Sequence, residues 1–263
     1  MANPFKQLAG ETAVYGLSTI LARVVNFLLV PLYTSFLSRS DYCVVTEMMA
    51  YIAILQVVLV MGLETGCFRF ASKENIKPDS VFSSAFSTVG IVCLLFFIGV
   101  TCFSGNISTS LGYQGFSNII IYVAAILLID CVTAIVFARL RYEHKAVKFA
   151  VIKTLKILTE LGTNLLLYLT FPKFAASHPD TFLLRFISPT PDFTYAIFGI
   201  LVSCIVCVVL LIPELLRLSP KIDRAIWKPL MLYSLPLMIA GLPGVLNDFL
   251  DRILMRFMNA DPI

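Results

Sequence analysis

The chain has 263 residues, of which 59% are apolar and only 14% charged, with a formal net charge of +4. Soluble domains run at roughly 45–50% apolar and about 25% charged, and a chain of this size cannot hide such an excess in one core. A soluble enzyme, a secreted disulfide scaffold and a disordered chain are therefore excluded; the solvent for most of this chain is lipid.

Lipid admits helices or closed barrels, because no water is present to satisfy backbone groups. The apolar runs here are long and do not alternate, which predicts helices of ~20 residues or more. In chain order, seven spans are predicted at 8–36, 43–66, 81–103, 118–140, 149–171, 193–216 and 230–255. The fold class is an all-α integral membrane protein with seven transmembrane helices. The first span is not a cleavable signal peptide. It exceeds the ~7–15-residue apolar core of such a segment and carries Glu11 and Arg23.

Orientation follows from Lys and Arg. With the N-terminus inside, the inner segments hold Lys6, then Arg69, Lys73 and Lys77, then Arg139, Arg141, Lys145 and Lys148, then Arg217, Lys221, Arg224 and Lys228. The outer loops hold Arg39, Lys173 and Arg185. Twelve against three, alternating at every loop, is a positive-inside pattern with a cytoplasmic N-terminus. The net positive charge thus reflects topology and anionic membrane lipid, and no nucleic-acid partner is expected. Seven-helix receptors put the N-terminus outside, so that reading is disfavoured.

The seven cysteines lie in or at the edges of spans and are expected to act as small buried apolar residues. Cys204-x-x-Cys207 falls inside an apolar run with no second pair or nearby His, so no metal is expected. Asn106-Ile107-Ser108 matches a glycosylation sequon, a short and weak signal.

Ionisable groups inside spans are costly, and each is a functional candidate. In the first helix Glu11, Tyr15, Ser18, Ala22, Asn26 and Tyr33 fall within an arc of ~60°, with Arg23 on its flank near mid-membrane. In the fifth helix Lys153, Lys156, Glu160 and Asn164 form a second narrow stripe, with Tyr168 continuing it loosely. Asp130 lies deep in the fourth helix and requires a cation, which Lys156 or Arg23 is placed to supply. The seventh carries Asn247, Asp248, Asp251 and Arg252, with Pro236 and Pro243 interrupting its hydrogen bonds and predicting a bend. Such stripes either glue neighbouring helices or line a hydrated cavity. In a cavity, the cations Arg23, Lys153, Lys156 and Arg252 suit an anionic head group. The acids Glu11, Glu64, Asp130 and Glu160 suit a coupling ion, H+ or Na+. No cofactor is expected, and no signal of oligomeric state is present.

Four segments carry a family likeness. Leu29-Val-Pro-Leu-Tyr-Thr-Ser-Phe-Leu-Ser-Arg-Ser-Asp-Tyr42 resembles the end of the first helix of oligosaccharide flippases, members of the multidrug/oligosaccharidyl-lipid/polysaccharide exporter superfamily. Gly62-Leu-Glu-Thr-Gly-Cys-Phe-Arg-Phe-Ala71 resembles their second-helix exit. Asp130 followed by Ala138-Arg-Leu-Arg-Tyr-Glu-His-Lys-Ala-Val-Lys-Phe-Ala150 resembles their fourth-to-fifth connection. Asp251-Arg-Ile-Leu-Met-Arg-Phe-Met258 resembles the end of their seventh helix. Cys43 departs from the Gly usual at that place in the family's loop, a matter of loop packing.

The resemblance implies transport of a polyprenyl-diphosphate-linked oligosaccharide from the inner to the outer leaflet of the bacterial cytoplasmic membrane, for surface polysaccharide assembly. It also implies two six-helix lobes around a cavity that opens to each side in turn. Arg23, Lys156 and Arg252 would then hold the diphosphate. Against the family's twelve to fourteen helices, the expected layout is a six-helix lobe, residues 1–225, and the first helix of a second, residues 226–263. The partners expected are the lipid-linked oligosaccharide and membrane lipid. A drug/cation antiporter of the same superfamily and an inactive truncated fragment are the alternatives. A membrane-embedded glycan enzyme is disfavoured, because the histidines His144 and His178 fall on opposite sides and no Asp-x-Asp or Ser/His/Asp set appears.

Overall fold

A computed structural model describes residues 4–113, 116–177 and 190–258. Among these, all regular structure is helical. The elements are α1 (Pro4–Phe36), α2 (Arg39–Val60), α3 (Leu63–Ala71), α4 (Pro78–Cys102), α5 (Ser104–Ser110), α6 (Ser117–Tyr142), α7 (Ala146–Leu169), α8 (Phe171–Ser177), α9 (Phe193–Leu215) and α10 (Arg224–Met258).

Each of the seven predicted spans falls on helix. Among the described residues, five stretches are long and apolar enough to cross a membrane: Arg39–Ala71, Pro78–Cys102, Ser117–Tyr142, Phe193–Leu215 and Arg224–Asp248. In α7, 24 residues give a reach of ~36 Å. Lys148, Lys153, Lys156 and Glu160, however, make it too charged to face hydrocarbon all round. The described apolar part of α1 is the shorter stretch Arg23–Phe36.

The second predicted span is not one continuous helix. Met61 (φ 54°) and Gly62 (φ 67°) are both left-handed, which ends α2 and restarts the chain as α3. The break is tied to packing. A Cβ on Gly62 would lie 2.6 Å from the Ser234 carbonyl oxygen and 3.1 Å from the Met238 nitrogen, and one on Gly66 would overlap Ser234 Oγ. Gly62 and Gly66 are thus the small-xxx-small face on which α10 crosses α3. Ser234 is fully buried there and its hydroxyl has no hydrogen-bond partner among the described residues.

Prolines sit inside helices without ending them. In α1, Pro31 cannot donate to the preceding turn, and its own carbonyl accepts the hydroxyls of Thr34 (3.2 Å) and Ser35 (2.7 Å). Pro229, Pro236 and Pro243 all lie within α10. Pro78 instead opens α4 at its first turn, where no donor is needed, followed by Asp79 at the positive end of the helix dipole.

The chain divides into two compact units: residues 1–42 with 139–213, and residues 43–138 with 214–263. In the first, α1 lies along α7. Tyr168 of α7 has its ring 5.9 Å from that of Tyr33, 5.8 Å from Phe36 and 5.2 Å from Tyr195 of α9. In the second, α3 and α4 meet α10. The start of α10 is moored to α4 by polar bonds: Trp227 Nε1 donates to Thr88 Oγ1 (2.9 Å) and the Asp223 amide donates to Ser84 Oγ (3.0 Å). The hydroxyls of Ser87 and Thr88 return their own protons to carbonyls one turn earlier in α4, so this serine-rich face is satisfied within lipid.

None of the seven cysteines is in a disulfide. Cys67, Cys93, Cys131, Cys204 and Cys207 are buried, as small apolar residues should be, whereas Cys43 and Cys102 are exposed.

Candidate functional site: a charged stripe on α7

The α7 stripe lies on the buried side of its helix. Phe149, Asn164 and Leu167 define that side by their burial. At ~100° per residue, Lys153, Lys156 and Glu160 share it. All three are half-buried. The deepest member, Asn164, is fully buried and is hydrogen-bonded at both ends of its amide. Its Nδ2 donates to the Glu160 carbonyl (2.9 Å), and its Oδ1 accepts the Tyr33 hydroxyl from α1 (3.3 Å). On the other flank the amide packs on Gly199 of α9, where a Cβ would come within 2.5 Å of Nδ2. Asn164 therefore joins three helices.

The same contacts give the register of α1 on α7. Tyr33 meets Asn164, and Phe36 meets Tyr168 one turn further along both helices, so the two run parallel. The offset of 131 between Tyr33 and Asn164 carries Arg23 to the level of Thr154, between Lys153 and Lys156. Arg23 is exposed, on a flank of α1 that lies ~120° round from the centre of the buried stripe Val25, Leu29 and Tyr33. An arginine at this depth cannot face hydrocarbon cheaply, so this flank of α1 borders water or further protein.

The other predicted residues divide plainly. Asp130 is half-buried on α6 in the second unit, where it and Glu64 of α3 act electrostatically on the thiol of Cys131. The structure groups Lys153, Lys156, Glu160 and Asn164 with Arg23 in the first unit, and Asp130 belongs to the second. The side chains of Glu11, Tyr15, Ser18, Ala22, Asn26, Asp251 and Arg252 lie outside the described residues. Asn247 and Asp248 are exposed on α10.

Below the stripe, the turn from α6 into α7 holds a cluster of mixed charge, in which the cations that mark orientation in the sequence are bridged by an acid. Glu143 accepts Arg139 Nε at 2.7 Å and Lys145 Nζ at 2.5 Å. His144 (φ 56°) takes the left-handed conformation that closes α6, with Lys145 N bonded to the Leu140 carbonyl. The i,i+4 spacing of Arg139 and Glu143 was the available signal. The cations Arg141 and Lys153 both lie 5.9 Å from the Phe149 ring, continuing the positive rim towards the stripe.

Burial by itself would raise the Glu143 carboxyl, but the hydrogen bonds and charges of Lys145 and Arg139 outweigh it and hold the group below its ordinary 4.5. A depressed acid stabilises the fold above its unfolded pKa and loses that contribution as pH falls through the folded value. Glu143→Gln is expected to cost about 1 kcal/mol at neutral pH. The gap from the parent should close as pH drops below 4.5, read as thermal unfolding in detergent across that range. A pH-independent gap would show that the carboxylate charge is not what the turn uses.

The comparisons agree with the resemblance read from the four segments. The family described as polysaccharide biosynthesis protein matches residues 8–261, nearly the whole chain. No curated protein and no solved structure matches. With five helices able to cross a bilayer and that match along its length, the chain is a multi-pass membrane protein belonging to the polysaccharide biosynthesis protein family.

Proposed function

We propose that this chain forms a lobe of a flippase that moves a polyprenyl-diphosphate-linked oligosaccharide across the bacterial cytoplasmic membrane by alternating access. The N-terminus is cytoplasmic, seven helices span the bilayer, and residues 1–225 form the six-helix lobe that residues 226–263 follow. The work is transport and not catalysis. The observation that carries the reading is the level placement of Arg23 with Lys153 and Lys156 on parallel α1 and α7. Cations at membrane depth are retained where an anion or water meets them. A diphosphate offers the oxygens that Arg and Lys bind with charge-assisted bonds, strongly in a low-dielectric site. The head group is then neutralised as it passes the apolar middle of the bilayer, and the polyprenyl chain stays in lipid. Asp130 is the acid suited to bind or relay a coupling ion, H+ or Na+.

The related reading, a drug/cation antiporter, draws on Glu160. Export of lipid-linked oligosaccharide in cells separates the two. Arg23→Ala is expected to abolish it and Glu160→Gln to spare it by comparison. The reverse pattern, Glu160→Gln abolishing transport while Arg23→Ala is silent, would transfer the role to a cation and remove the diphosphate reading.

A further inference from the structure

A cavity of about 270 Å³ lies in the second unit, and no residue of the charged stripe lines it. Its walls include Tyr51 of α2, Phe96 and Val100 of α4, Ile107 of α5, and Val123 and Leu127 of α6. The only side-chain polar atom these six residues bring is the Tyr51 hydroxyl, and it is engaged elsewhere, donating to Glu47 Oε1 at 2.8 Å. Such a space gives a water none of the two to four partners it needs. Beyond the cavity the α2 face stays apolar: Val58, one turn past Leu55 and away from α5, is exposed.

One end is closed by α5 and the residues directly after it, Leu111 to Tyr113. Ile107 and Leu111 supply the apolar underside. The buried Glu47 carboxylate accepts the Tyr113 hydroxyl (2.5 Å) as well as that of Tyr51, and Ser108 Oγ bonds the Tyr113 carbonyl. The loop is thus fastened to α2 across the end of the space. A dry cavity, apolar at its opening and closed at one end, accepts the terminus of a hydrocarbon chain. In a membrane protein the hydrocarbon at highest concentration is the acyl chain of the bilayer lipid, and occupancy follows concentration. We infer that this cavity seats the end of one acyl chain of a bilayer phospholipid under the α5 lid. The site shares no residue with the stripe and does not depend on the cargo.

The test uses the purified chain in phosphatidylethanolamine and phosphatidylglycerol vesicles. A phosphatidylglycerol with a diazirine at one acyl terminus is photolysed there, and adducts are mapped by mass spectrometry. Adducts on Phe96, Val100 and Ile107 should exceed those on the outward α4 residues Ile91 and Leu95 about tenfold, equal to ~1.4 kcal/mol of preference. Ala124→Phe, which fills the cavity from α6, should erase the excess. The mapping on the parent chain stands without that variant. Even labelling of both faces of α4 overturns the inference, as does an excess that survives in a well-folded Ala124→Phe protein. Cavity adducts from a diazirine-bearing polyprenyl phosphate, with none from the phospholipid probe, would assign the site to an isoprenoid instead and equally overturn it.

Discussion

Lys156→Met is expected to reduce oligosaccharide export about 100-fold while leaving the protein folded in the membrane. Methionine keeps the apolar stem of the lysine and removes its charge. A hydrogen bond to a charged group contributes roughly 1.5–3 kcal/mol, and the upper part of that range is about a hundredfold in rate. Lys156 stands at i,i+4 to Glu160, so losing the cation also leaves an acid at membrane depth. The double variant Lys156→Met with Glu160→Gln separates these effects. It removes both charges, and its transport should stay as low as that of Lys156→Met alone. Export restored in the double variant would mean that Lys156 serves only as the counter-ion of Glu160.

The largest expected effect on stability belongs to α3 and α10. Gly66→Leu places a side chain where Ser234 Oγ and the Leu230 Cδ1 methyl already are. The helices must separate or the side chains leave their rotamers, at a cost of about 3 kcal/mol. Thermal unfolding of the purified variant should show it as a clear drop in midpoint. Gly66→Ala is the milder form, and it should be partly rescued by Ser234→Gly, with a coupling of about 1 kcal/mol between the sites. Ser234→Gly alone also removes a buried hydroxyl without a partner, which limits its own cost. Independent, additive effects of the two substitutions would contradict this crossing.

What was legible in the sequence follows from what each signal measures. Apolar runs located the helices, because burial in lipid writes itself as length. They could not show the break at Met61 and Gly62: a reversal of φ leaves no trace in hydropathy, and Met61 is not a residue type that announces a left-handed turn. Gly62-Leu-Glu-Thr-Gly66 did carry the small-xxx-small spacing, yet only the approach of Ser234 shows which helix uses it. The short helix α5 was hidden because Ser104–Ser110 is mostly polar and its role is to close a cavity assembled from three other helices.

The stripe on α7 was legible from its 3.6-residue period. Its partner was not. Nothing in the sequence pairs Asn164 with Tyr33 and Gly199, and that joint is what sets Arg23 level with Lys153 and Lys156. Glu143 was passed over for a similar reason. Counting loop cations gives orientation, whereas the carboxylate between two of them appears only when the turn through His144 folds Lys145 back onto it.

The central claim is that the α1 and α7 cations carry a diphosphate-linked glycan through the bilayer. The direct measurement reconstitutes the protein in sealed vesicles with a fluorescent oligosaccharide on polyprenyl diphosphate. The fraction of label that becomes accessible to an impermeant glycosidase is then followed over time. Protein-dependent movement of the label between leaflets is expected, abolished by Arg23→Ala and strongly slowed by Lys156→Met. Movement at the same rate in the parent and both variants, or none above protein-free vesicles, would contradict it.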